Sequence, residues 1–120
     1  MMNDFDLQIQ SSASDGRYSP RELVKRAADL KLKTIALTDH DTVSGVPEAL
    51  SAGEDYGVEV IPGIEISAAD ATGDMHILGF GVDYKNPALL QALEEAQRAR
   101  TERAKEIVKR LQGIGFSVTY

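Results

Sequence analysis

The 120-residue chain contains no cysteine. Disulfides, thiolate nucleophiles, zinc–thiolate sites and iron–sulfur clusters are therefore excluded, and any metal must be held by imidazole, carboxylate, backbone or water. Such donors suit hard or borderline cations. The chain also lacks any run of the roughly 18 apolar residues that a membrane-spanning helix needs. Its start, MMNDFDLQIQ, has no basic segment leading into an apolar one. A cytoplasmic protein without a membrane partner is expected. Positive charge is in short supply: 13 Lys and Arg face 19 Asp and Glu, a net charge of −6. That balance argues against an extended electrostatic surface for nucleic acid, yet leaves room for a phosphorylated substrate held through metal ions. Prolines number only four, and 42% hydrophobic with 27% charged residues is an ordinary globular composition. The length suits a single domain, residues 1–120.

What is present reads as alternating strands and helices. Phe5, Leu7 and Ile9 alternate with Asp6, Gln8 and Gln10, the period-two pattern of a strand, so Gln8 and Gln10 share a face. A Ser-, Asp- and Gly-rich loop (Ser11 to Gly16) follows, then Ser19-Pro20 as N-cap and first-turn proline of a helix with Leu23, Val24, Ala27, Ala28 and Leu30 on its apolar side. Thr34 to Leu37 reads as a buried strand, Val46 to Tyr56 as a helix ended by Gly57, and Val58 to Ile61 as a third strand stopping at Pro62-Gly63. Short connections between these elements imply parallel strands and an α/β class. Ile64 to Ser67 and Met75 to Gly79, separated by the turn-rich Asp70 to Asp74, fit a hairpin. Asn86-Pro87 opens a long helix stopped at Gly113, its middle polar all round with opposite charges at helical-neighbour spacing, which suits a solvated face or a basic ridge. Phe116, Val118 and Tyr120 alternate again and are expected to begin another strand.

In parallel α/β folds, ligand-binding side chains gather beyond the carboxyl ends of the strands. Asp15 follows the first strand, Asp39-His40-Asp41 the second, and Glu65 the third, while His76, the second of two histidines, sits in the hairpin. Each has a bland alternative: Asp15, Asp39 and Asp41 as turn or cap residues, a histidine as a hydrogen-bonded core residue. Their joint placement at one mouth points instead to a metal site able to activate water and clamp a phosphoryl group.

The segments Asp6 to Gly16, Leu37-Thr38-Asp39-His40-Asp41-Thr42, Ile61-Pro62-Gly63-Ile64-Glu65-Ile66-Ser67 and His76-Ile77-Leu78-Gly79 resemble, in order and spacing, the PHP (polymerase and histidinol phosphatase) superfamily. The wording is most similar to its small stand-alone phosphoesterases, and less so to the domain joined to bacterial replicative polymerases. The resemblance implies a distorted seven-stranded β/α barrel of which this chain is the N-terminal half. It further implies metal ligation by Asp15, His40, Glu65 (bridging) and His76, with Asp39 and Asp41 behind them. Divalent manganese, iron or zinc and hydrolysis of phosphoesters in nucleotides or short oligonucleotides by metal-bound hydroxide are implied with it.

Two departures from the family pattern shape the expectations. The family's first motif reads Asp-x-His-x-His, and Gln8 and Gln10 stand where its histidines would be. An amide is a weaker donor than imidazole to a transition metal, so fewer than three ions and impaired turnover are expected. A half-barrel also leaves an edge and an apolar face open, so a homo-oligomer is expected. The alternative function is a non-catalytic, self-associating module that binds a metal or nucleotide.

Overall fold

In the computed structural model, which describes residues 4–120, the elements run β1 (Phe5–Ile9), α1 (Pro20–Asp29), β2 (Thr34–Leu37), α2 (Val46–Tyr56), β3 (Glu59–Asp70), β4 (Gly73–Phe80) and α3 (Pro87–Gly113). Two compact units result, one running to Tyr84 and the other covering Lys85–Tyr120. The first is a four-stranded mixed sheet of order β1-β2-β3-β4 with two helices, a half-barrel of the α/β class.

β1, β2 and β3 are parallel, as the short crossover connections require. The β1 ladder slips between Asp6 and Ile9. Asp6 Oδ1 accepts from Gln8 N at 3.1 Å, satisfying a donor freed by the irregularity. α1 begins with a reciprocal capping box, Ser19 Oγ accepting from Glu22 N at 3.2 Å and Glu22 Oε2 from Ser19 N at 2.9 Å. α2 ends on Gly57, whose φ of 71° is the left-handed conformation that glycine adopts without strain. The two helices pack on one another and on the sheet. Between them lie Val24 and Ala27 of α1, Ile35 and Leu37 of β2, and Val46, Ala49 and Ala52 of α2, all under 5% exposed. Each larger aliphatic side chain so buried contributes about 1.5–3 kcal/mol.

β3 departs from expectation. It runs unbroken for 12 residues through Pro62-Gly63, where the sequence predicts a stop. Pro62 closes the pairing with β2, opposite Leu37, and Gly63 opens the pairing with β4, opposite Phe80. Proline is tolerated at this handover because the group in use is its carbonyl, which accepts from Val82 N at 3.2 Å. From Gly63 on, β3 forms the expected antiparallel hairpin with β4.

Within the described residues β1 and β4 are the sheet's edges. A groove of about 350 Å³ lies beside β1, with Leu23 and Ala27 of α1 and Leu30 just after it along one wall. Phe5 on β1 and Met75 and Ile77 on β4 are exposed.

The second unit is one long helix and its tail. Asn86 Oδ1 caps α3, accepting from Ala88 N at 2.9 Å and Leu89 N at 3.2 Å. Its polar middle carries exposed Glu94–Arg98, Glu102–Lys105 and Glu106–Arg110 pairs, a solvated face of the ordinary kind. The strand expected at Phe116 to Tyr120 is not formed. Phe116 N donates instead to Leu111 O at 3.0 Å, and Val118 O accepts from Gln112 Nε2 at 2.8 Å. The tail is thus folded back on its own helix end, and alternation alone supplies no partner strand.

Candidate metal centre

The site grows from the carboxyl end of β2. Beyond Leu37 the parallel pairing with β3 resumes for one bridge, His40 opposite Glu65. Glu65 N donates to Asp39 O at 3.0 Å and Asp41 N to Glu65 O at 2.8 Å, which sets the side chains of His40 and Glu65 next to each other. Across the hairpin, His76 is the register partner of Ser67. Residues 65 and 67 share one strand face, so Glu65, Ser67 and His76 all point to the same mouth.

The result is a tight cluster. Donor atoms of His40, Glu65 and His76 lie within 4.8 Å of one another. Glu65 Oε1 is 3.5 Å from His76 Nδ1, and Glu65 Oε2 is 3.7 Å from His40 Nδ1. The two imidazoles meet edge to face at 4.7 Å. Asp15 arrives from the loop after β1, with Oδ2 3.1 Å from His40 Nδ1. Glu65 is almost buried, while the His76 side chain is about half exposed at 53%, so the cluster opens to solvent on the His76 side.

Asp39 and Asp41 stand behind this cluster, each with a definite task. Asp39, 1% exposed, accepts from Ser11 N, Ser11 Oγ and Ser14 Oγ, each at 2.7 Å, and so ties down the loop that carries Asp15. Asp41 takes the left-handed backbone conformation, φ 54°, which aspartate tolerates better than most residues. Its carboxylate accepts from Ser67 N and Ser67 Oγ, both at 3.0 Å.

Gln8 and Gln10 both face the site, as the strand parity requires, but as hydrogen-bond donors. Gln8 Nε2 donates to Glu65 Oε1 at 3.3 Å, and Gln10 Nε2 donates to Glu65 Oε2. These amides turn N–H toward the carboxylate and present no lone pair there, so in this arrangement they do not fit a cation. The remaining donors do. His40 Nδ1 converges with Asp15 and Glu65 carboxylate oxygens, and carboxylates only accept. Nitrogen and oxygen donors of this kind suit manganese, iron or zinc.

Ser11, Ser14 and Ser67 escaped the sequence reading. For the first two the signal is masked by a Ser-rich run that reads as a turn. For Ser67 the two-residue spacing from Glu65 on a strand placed it on the same face.

Comparison with known proteins identifies the family. The PHP domain family model matches residues 6–116, and the chain belongs to the PHP domain family. It is 38% identical over 120 residues to a 5'-3' exoribonuclease of Haemophilus influenzae, covering 100% of this chain and 44% of that protein. It is 35% identical over 116 residues to a 3',5'-nucleoside bisphosphate phosphatase of Chromobacterium violaceum, covering 97% and 41% respectively. A solved structure of an amidohydrolase from Chromobacterium violaceum, with bound sulfate and no metal, superposes with a TM-score of 0.87 at 35% identity over 96% of this chain and 40% of that one. The chain therefore spans less than half the length of these relatives.

Proposed function

We propose that this chain is the N-terminal half-barrel of a metal-dependent phosphoesterase acting on nucleotides or short oligonucleotides. The observation that carries the reading is the convergence of His40, Glu65 and His76 donors within 4.8 Å, with Asp15 alongside, on a PHP-family scaffold. The relatives named above act, by their names, on RNA and on nucleoside bisphosphates.

Electrostatics requires a cation for this task. Asp15, Asp41 and Glu65 crowd around the two imidazoles, and a phosphate anion approaching such a group is repelled unless the negative charge is offset. His40, Glu65, His76 and Asp15 would hold a divalent metal, manganese, iron or zinc. When bound, such an ion supplies a Lewis acid for the phosphoryl oxygens and makes water acidic enough to attack at neutral pH. The protein's own part is positional. Glu65 is oriented by two amides, Asp15 is placed by the loop that Asp39 fastens, and His76 lines the open side where a substrate phosphate enters.

With Gln8 and Gln10 donating to Glu65, the site holds fewer than three ions and turnover is low. The same bonds favour a second reading, a non-catalytic half-barrel that binds metal or nucleotide. In either case residues 1–120 act as one partial-barrel domain of a cytoplasmic protein. A homo-oligomer belongs to the same proposal.

Hydrolysis of a chromogenic phosphodiester and of a nucleoside 3',5'-bisphosphate, with and without manganese, tests the proposal. Slow turnover abolished by a chelator and by Glu65→Ala is the expected result. Saturable nucleotide binding with no turnover selects the second reading, and turnover indifferent to Glu65→Ala refutes the site assignment.

A further inference from the structure

Glu65 is a buried carboxylate without a fixed positive charge beside it. It is 5% exposed, and among the described residues no Lys or Arg side chain pairs with it. The His76 and His40 imidazoles stand at 3.5 and 3.7 Å, beyond direct hydrogen bonding. Asp15, with Oδ2 3.1 Å from His40 Nδ1, adds further negative charge nearby. A carboxylate taken out of water is strongly disfavoured unless it is paired or well hydrogen-bonded.

β1 supplies the missing compensation. Gln8 Nε2 donates to Glu65 Oε1 at 3.3 Å, and Gln10 Nε2 donates to Oε2. Each carboxylate oxygen thus takes one amide N–H, and both amides come from one face of a single strand. An ionised carboxylate can only accept, so the amide nitrogens and not the amide oxygens must be turned toward it. The family pattern has histidines at these two positions, where imidazoles would face a cation. Here the partial positive charges of two N–H groups meet Glu65 directly from that side.

We propose that the Gln8 and Gln10 amides stand in for a cation on the β1 side of Glu65. They supply the compensation that an ion joining β1 to Glu65 would otherwise supply, so the first strand stays tied to the site with no ion present. A carboxylate offers about four acceptor positions, and the amides take one on each oxygen. The positions nearer His76 and His40 are left for an ion held by those residues. The inference rests on the surroundings of Glu65 and not on the phosphoesterase reading, because it concerns the chain with no metal bound.

Replacing glutamine by glutamate tests it, since the side chain keeps its size and exchanges N–H donors for acceptors. Gln8→Glu with Gln10→Glu sets three carboxylates together. Urea unfolding is followed by circular dichroism at a pH of about 8, where carboxyls are ordinarily ionised, first in the presence of a chelator. The native chain should unfold cooperatively without metal, and the double variant should have a midpoint lower by at least ~1 M. Excess manganese should return most of that loss and raise the native midpoint by less, because only in the variant does a cation replace missing donors. In a Glu65→Gln background, which removes the central charge, the same two substitutions should cost clearly less. Should the double variant not fold, Gln10→Glu alone reads the same quantities. A midpoint unchanged in chelator overturns the inference. So does a loss that manganese leaves in place, or one just as large beside Glu65→Gln, since either would reduce the amides to packing groups. Hydrolysis enters none of these readings: a chain without turnover that meets them refutes the phosphoesterase reading and leaves this one standing, and turnover with an unchanged midpoint does the reverse.

Discussion

Removing the Asp39 carboxylate should be the most damaging single change in the first unit, although Asp39 need not touch a metal. Three donors, Ser11 N, Ser11 Oγ and Ser14 Oγ, meet it at 2.7 Å, and both Asp39 and Ser11 are essentially inaccessible to solvent. Hydrogen bonds to a charged group contribute about 1.5–3 kcal/mol each, and an abandoned buried donor costs about 1–3 kcal/mol. The contributions are not additive, because the hydroxyls can rotate to other acceptors while the Ser11 amide cannot. A cost of about 3–5 kcal/mol follows for Asp39→Ala, the range measured for breaking buried charged networks. Against a total stability of about 5–15 kcal/mol, that is a large share. In urea, with m about 1–3 kcal/mol/M, the midpoint should fall by ~1–5 M. Asp39→Asn keeps an acceptor for Ser11 N and should cost less. Urea unfolding followed by circular dichroism, with amide exchange at Ser11, reads both. A loss below ~1 kcal/mol for Asp39→Ala would show that the loop after β1 is held by something other than this carboxylate.

The other predictions concern the amides and the first helix. Gln8→His with Gln10→His should raise the number of zinc or manganese ions bound per chain in elemental analysis. No increase would mean that the β1 face turned to Glu65 cannot supply metal donors. Glu22 has its carboxyl held below the ordinary range by the Ser19 backbone N–H and hydroxyl. A depressed folded value means that its contribution is present above the unfolded value and lost as pH falls through the folded one. Protection of the amides in the first turn of α1, measured against their intrinsic exchange at each pH, should therefore fall on acidification through that range, and Glu22→Ala should remove that fall.

Much of the fold is legible from local signals. Ser19-Pro20, Asn86-Pro87 and Gly57 mark helix ends because their chemistry is local, and the alternation from Phe5 to Ile9 correctly puts Gln8 and Gln10 on one face. What failed needed a partner to be seen. Pro62-Gly63 looks like a stop, yet it marks only the change from one neighbour to another within a continuous strand. Phe116 to Tyr120 alternates like a strand, yet local hydrogen bonds to the end of α3 capture it. At the site, Asp15, His40, Glu65 and His76 could be gathered by the rule of strand ends. The serines that hold Asp39 and Asp41 could not, since their bonds span 25 to 28 residues.

The handover in β3 also sets an order of assembly. The β3–β4 hairpin closes over the two residues between Asp70 and Gly73 and already aligns Glu65, Ser67 and His76. His40 must come from 27 residues away to reach Ser67, and the Gln8 and Gln10 amides from 57 and 55 to reach Glu65. Loop-closure entropy rises with those separations, so the hairpin should form first and β1 dock last. An edge strand that docks last is also positioned to detach first in local opening. Detachment of β1 would remove both amide donors from Glu65 while the hairpin stays whole, so the carboxylate should lose these two partners in local opening, well before global unfolding.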